Sequence, residues 1–293
     1  MKLRTILVAF IATALGFTAQ AETTSSKVDR GNFVEGNLDR EITNAKMRAE
    51  SGSKSRYSAS FNMGLDAGTL DEVDANSFGA EISGRFRINK NMSINAGIVT
   101  SVVSPLEGAD STQDNYLDKF DVGTPFVKIS HYSRTGNLML NYEGSIAFFT
   151  NSEETDLGLL AQANIGSTAL YDFRNGIHAG VEADIFSTFA DGRDLNVNFD
   201  DVSLRLIPFA EYAINDQLNL RTALSFGVGH SRFSQADGGH WENADVRHSF
   251  GLGYAPTRDI YIFPNITVAA GDFYADAELE NSSIGVNATI NTF

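Results

Sequence analysis

The chain has 293 residues, 42% of them apolar and 20% charged, with 26 glycines, 5 prolines and no cysteine. The lack of cysteine excludes a disulfide framework and a thiolate metal centre, and a net charge of −15 leaves no basic face for nucleic acid. Many glycines with few prolines suit a large sheet protein, and the length admits one large β domain or two ordinary ones.

Residues 1–21 have the pattern of a cleaved export signal. Met1-Lys2-Leu3-Arg4 supplies a positive start, Thr5 to Phe17 an apolar run, and Ala19-Gln20-Ala21 a small-x-small cleavage site. The run is shorter than the ~20 apolar residues of a spanning helix, and no cysteine follows it to accept a lipid anchor. Loss of Lys2 and Arg4 would leave the mature chain at −17. No later stretch approaches a spanning helix, so a membrane protein built from this chain must be a barrel.

Residues 22–54 lack strand patterning. Leu38, Ile42 and Ala45 fall at i, i+4 and i+7 within NLDREITNAKMRAE, a short amphipathic helix that Asn37 is placed to cap, and SGSKS after it reads as a linker. Two placements stay open: a leader outside the sheet domain, or a plug folded into or under it.

From Arg56 onward, over residues 55–293, the period is two. Tyr57, Ala59, Phe61, Met63 and Leu65 alternate with Ser58, Ser60, Asn62 and Gly64, and Phe78, Ala80, Ile82, Gly84, Phe86 and Ile88 alternate with Gly79, Glu81, Ser83, Arg85 and Arg87. The rhythm recurs in Met92–Val102, Leu138–Phe148, Leu157–Tyr171, Ile177–Phe189, Val202–Ile214, Leu218–Val228, Val246–Tyr254, Ile260–Ala270 and Ile284–Ile290. In Val122–Tyr132 the parity breaks, because Phe126 and Tyr132 share a face with Lys128; a bulge is expected there. About twelve strands result. Their links alternate between short (INKN, SRTGN, DFRNG, INDQ, PTRD) and long (DAGTLDEVDAN, SPLEGADSTQDNYLDKFD, ADGRDLNVNFDD, HSRFSQADGGHWENAD, GDFYADAELEN), with TNSEETD between the two classes. Six of the nine tyrosines, Tyr57, Tyr132, Tyr171, Tyr212, Tyr254 and Tyr261, fall at the short-turn end, where a ring of amphipathic side chains would form an aromatic girdle. A phenylalanine set (Phe148, Phe149, Phe189, Phe226) lies towards the other end.

The leader MKLR…AQA, the alternating strands, the Tyr-turn repeats and the terminal Phe293 together resemble the outer-membrane β-barrel proteins of Gram-negative bacteria, at superfamily level and over the chain beyond residue 55. The resemblance implies an all-β, transmembrane antiparallel β-barrel of about 12 strands, with short periplasmic turns and long acidic extracellular loops. It places the protein in the outer membrane of a Gram-negative bacterium, in contact with outer-membrane lipid and lipopolysaccharide. It also implies that Phe293 contributes to the signal by which the outer-membrane assembly machinery reads the C-terminal strand. In the family's pattern the apolar positions run in phase with the terminal aromatic. Here Ile284, Val286, Ala288 and Ile290 run in the opposite phase, so Phe293 matches by position and not by parity.

In such a barrel the polar face of every strand lines a lumen. The expected pore-lining residues are Arg56, Glu81, Arg85, Arg87, Glu143, Glu182, Asp184, Arg205, Glu211, Arg221 and Arg247. Acids gather in the middle strands and bases towards the two ends of the chain, so closure is expected to set an acidic wall opposite a basic one, as in a passive channel for small polar solutes. The alternatives are a barrel filled by ionic ladders, structural or adhesive in role, and a surface hydrolase. Acidic groups such as Asp71, Glu72 and Asp74 or Asp276, Glu278 and Glu280 crowd the long links, where they are solvated or bind cations between themselves and lipid headgroups. Among the histidines, His230, His240 and His248 approach the long-loop end beside Trp241, Glu242 and Asp245, but no HExxH, G-x-S-x-G or P-loop pattern occurs. No catalytic residue, metal or cofactor is therefore expected.

Overall fold

The computed structural model describes residues 46–47, 55–69, 75–105, 120–150, 155, 157–173, 176–191, 199–232, 238–270 and 282–292. The expected export signal, the expected helix within 37–50 apart from Lys46 and Met47, most of the long loops and Phe293 lie outside the described residues. Twelve strands follow one another: β1 (Tyr57–Thr69), β2 (Ala75–Arg87), β3 (Met92–Pro105), β4 (Phe120–Thr135), β5 (Leu138–Phe148), β6 (Leu159–Asp172), β7 (Ile177–Ala190), β8 (Phe199–Ala213), β9 (Leu218–Arg232), β10 (His240–Thr257), β11 (Ile260–Ala270) and β12 (Ser282–Thr292). Each pairs antiparallel with its neighbours in sequence, and β12 closes on β1 from Ala59↔Thr292 to Thr69↔Ser283, giving a closed barrel. Closure leaves no sheet edge, and in hydrocarbon it is the only all-strand arrangement that satisfies every backbone donor and acceptor.

The short links are hairpin turns with local chemistry to match. Between β4 and β5 only Gly136 and Asn137 intervene, and Gly136 has φ 62°, a left-handed conformation that glycine adopts without a Cβ penalty. INKN and INDQ fold alike: Asn89 Oδ1 accepts the backbone N–H of Asn91, and Asn215 Oδ1 accepts those of Gln217 and Leu218. The bulge expected in Val122–Tyr132 lies between Val122 and Pro125, where three steps along β4 match two along β3. Several strands outrun the alternating segments at the long-loop end. β10, for instance, begins at His240 rather than Val246. Beyond the lipid there is no reason for the outer face to stay apolar, so the ladder continues after the hydrophobic rhythm has stopped.

The polarity of this barrel is inverted relative to a soluble protein. Leu65, Ile82, Ile129, Ile146, Ile185, Leu206, Leu220, Leu252 and Ile284 are large, apolar and exposed on the outside, while Ser60, Arg85, Asn95, Asn141, His178, Glu211, Arg221 and Asn265 are buried inside. An apolar belt around a polar interior is the signature of a barrel solvated by lipid.

Candidate functional site: the charged lumen

Inward-facing side chains enclose a chamber of about 930 Å³. Seven of the expected pore-lining residues are in its wall: Glu81, Arg85, Glu143, Glu182, Asp184, Arg205 and Arg221. Arg87 and Glu211 also point inward but lie buried towards the short turns, with Arg87 9% and Glu211 3% exposed. The remaining two expected residues lie outside this wall. Arg56 is an exposed rim residue whose guanidinium lies over the ring of Phe86, because β1 begins only at Tyr57 and its first inward position is Ser58. Arg247 shares the inward parity of Ser249 but is exposed and lies outside the chamber wall, nearer the long loops.

Face parity also divides the tyrosines. Tyr57, Tyr171, Tyr212 and Tyr254 are exposed on the outer surface at the short-turn end. Tyr132 and Tyr261 point inward instead. Tyr132 is in phase with Lys128, and Tyr261 is 4% exposed, donating from its hydroxyl to Asn219 Oδ1 at 3.4 Å. Position along the strand matched a girdle for all six, but the pleat sends every second residue the other way.

The charges do not form opposed walls. They pair locally, between adjacent strands or across one intervening strand. Arg221 is bonded to Glu211 of β8 at 2.5 Å and to Glu182 of β7 at 2.7 Å, and its guanidinium stacks over Phe209 at 4.2 Å from the ring centroid. Arg205 contacts its register partner Asp184 at 2.8 Å, and Lys128 reaches Glu81 at 3.4 Å, whose carboxylate also accepts from Asn62. Glu143 accepts from Ser130 and Asn141. Nearer the turns, Asp172 faces His178 at 3.6 Å and Arg134 at 3.8 Å. The choice follows from distance. At an effective dielectric of 20, opposite charges attract by about 4 kcal/mol at 4 Å and by about 1 kcal/mol at four times that separation. Long side chains at inward positions on adjacent and next-nearest strands come within the shorter range, so lateral pairing prevails over a field across the lumen.

Several contributors were not singled out from the sequence. Lys128 was noted only for its broken parity, which is what brings it inside. Asn62, Asn95, Asn141, Asn164 and Asn265 give the wall its amide character. Lys46, from the segment before the barrel, reaches Glu182 Oε1 at 3.0 Å, and Met47 packs, 4% exposed, against Met139, Leu170 and Phe209. Those three apolar residues occupy positions of inward parity, on strands whose other inward positions include Asn141, Thr168 and Arg205, and that mismatch was the available signal.

The histidines do not converge. His230 is bonded to Asp201 at 2.5 Å and stacks near Trp241, His240 contacts Glu242, and His248 bonds to Thr222. Among the described residues no three metal-ligating side chains come together.

No family model matches the chain, and no curated protein matches it in sequence. Solved structures do match in shape. An outer-membrane channel from Pseudomonas putida F1 aligns over 91% of this chain and 100% of its own, with 9% identity and a TM-score of 0.55. The chain shares the closed β-barrel fold of that protein. Weaker likenesses are to the NanC porin, at 10% identity over 80% of this chain and all of its own with a TM-score of 0.46, and to the KdgM porin in complex with disordered oligogalacturonate, at 9% identity over 80% and 99% with a TM-score of 0.42.

Proposed function

We propose that the protein is exported, inserts into the outer membrane of a Gram-negative bacterium with its short turns towards the periplasm, and acts as a passive channel for small polar solutes. One observation carries this reading: a chamber of about 930 Å³ walled by amides, hydroxyls and paired charges, inside a barrel whose outer belt is apolar. A purely structural barrel gains nothing from such a space, since buried polar groups are costly and a filled interior packs better. Passage requires no cofactor and no covalent step. Solutes exchange hydration water for contacts with side chains such as Asn95, Asn164 and Asn265, which neither attract nor repel a particular ion strongly.

Two bases of the chamber wall outside the Arg221 cluster are Arg205, 46% exposed, and Lys128. The expected wild-type selectivity is weak, because Arg205, Lys128 and Arg221 each have an acid beside them. Arg205→Glu with Lys128→Glu makes the wall net acidic. The reversal potential in a salt gradient is then expected to move towards cation selectivity. A reversal potential that stays at the wild-type value would contradict solute passage along this wall.

A second reading, a barrel closed in its resting state, is favoured by the short-turn end. There Ser93, Ser130, Met139, Leu170, His178, Glu211 and Asn219 are all buried, as is Met47.

A further inference from the structure

An apolar patch at the short-turn end of the interior has an occupant from the same chain. Met139 of β5, Leu170 of β6 and Phe209 of β8 project inward with Tyr132 and Ala223 beside them, and Met47 fills the space they leave. On a polar wall these side chains would otherwise meet water. Directly beside them Glu182 accepts from Lys46 Nζ at 3.0 Å and from Arg221 at 2.7 Å through the same oxygen. Gly180 makes the patch possible: a Cβ there would run into the backbone of Ala169 and the Phe209 ring, so only glycine lets that ring lie flat on the wall. The result is a two-part seat, a carboxylate for an ammonium group and an apolar socket for an unbranched side chain.

We infer that Lys46 and Met47 form a tethered stopper of the lumen, held by this seat, and that solute passage requires its release. The inference rests on the channel reading and deepens it. The seat's chemistry also defines what competes for it: a primary ammonium carried on a short unbranched apolar chain, the pattern of Lys46 and Met47 themselves. The ion pair is only partly shielded, with side-chain exposures of 28% for Lys46 and 21% for Glu182, so it exchanges with solution cations more readily than the fully enclosed Arg221–Glu211 pair.

The absence of native cysteine makes the test direct. In the full chain in vesicles, Met47→Cys reports seating through its reaction with a charged methanethiosulfonate. The thiol is expected to be protected, to stay protected with Lys46→Arg, and to react at least ten-fold faster with Lys46→Glu, which turns the attraction to Glu182 into repulsion. In planar bilayers Lys46→Glu is expected to raise the open fraction several-fold over the wild type, and Lys46→Arg to leave it unchanged. Equal thiol reactivity in all three backgrounds would overturn the seat. Faster reaction without any gain in conductance would overturn the stopper while leaving the channel reading intact. Channel steps absent from every variant, with the thiol pattern as expected, would remove the channel reading and the stopper with it.

Discussion

Arg221 carries two ion pairs of the interior. It neutralises Glu211 and Glu182 together and stacks on Phe209. A buried charge pair contributes little net stability relative to an apolar pair, but removal of one partner strands the other. Arg221→Met leaves Glu211, 3% exposed, without its counter-charge. It is expected to lower barrel stability by about 3–5 kcal/mol, read as a shift of the urea midpoint in detergent micelles; an unmoved midpoint would show that the carboxylates find other partners. At Gly180 the effect is steric. Gly180→Val drives the Phe209 ring off the wall into the Met47 socket, so an introduced Met47→Cys should lose its protection although no charge has changed. At this scale the sequence was informative about which residues face inward and silent about their partners. Tyr132 and Tyr261 were assigned to a girdle by their distance from a turn, and the parity with Lys128 or Asn265 that sends them inward was the stronger signal.

Strands and turns were the most legible level, because a membrane barrel imposes period two on every crossing. Leu204 and Leu206 face lipid and Arg205 faces the chamber within three consecutive residues of β8. Leu206→Arg is therefore expected to cost about 2–4 kcal/mol if it lies near the bilayer midplane, while Ser225→Arg, on the lumenal face of β9, should cost far less. Equal destabilisation of the two in lipid-vesicle unfolding would contradict the assignment of faces. Turn chemistry was legible in part. SRTGN was seen as short, but only the backbone shows that Gly136 takes the left-handed position. Gly136→Val should destabilise the β4–β5 hairpin by about 1–2 kcal/mol, and Gly136→Asn much less, since asparagine tolerates that conformation; refolding yield into vesicles distinguishes them. Strand ends at the long-loop side were misjudged because pairing above the lipid is no longer tied to the apolar rhythm.

For the whole molecule, closure followed from the alternation of long and short links and from the lack of any spanning helix. The pairing of β12 with β1 sets Thr292 opposite Ala59, so the first and last strands meet at the short-turn end. What the interior contains was beyond a one-dimensional reading. Lateral neutralisation depends on register, such as Asp184 against Arg205, and a shift of one residue would reverse every face. The seating of Lys46 and Met47 depends on contacts across more than 90 residues of sequence, and nothing in NLDREITNAKMRAE indicates its partner. The central claim is that a solvated path runs through this barrel, and single-channel recording of the purified full chain tests it most directly. Discrete steps are expected from the wild type, more frequent with Lys46→Glu and smaller with Ser225→Trp, which intrudes on the chamber wall. A flat baseline from folded, inserted wild type and Lys46→Glu alike would contradict it.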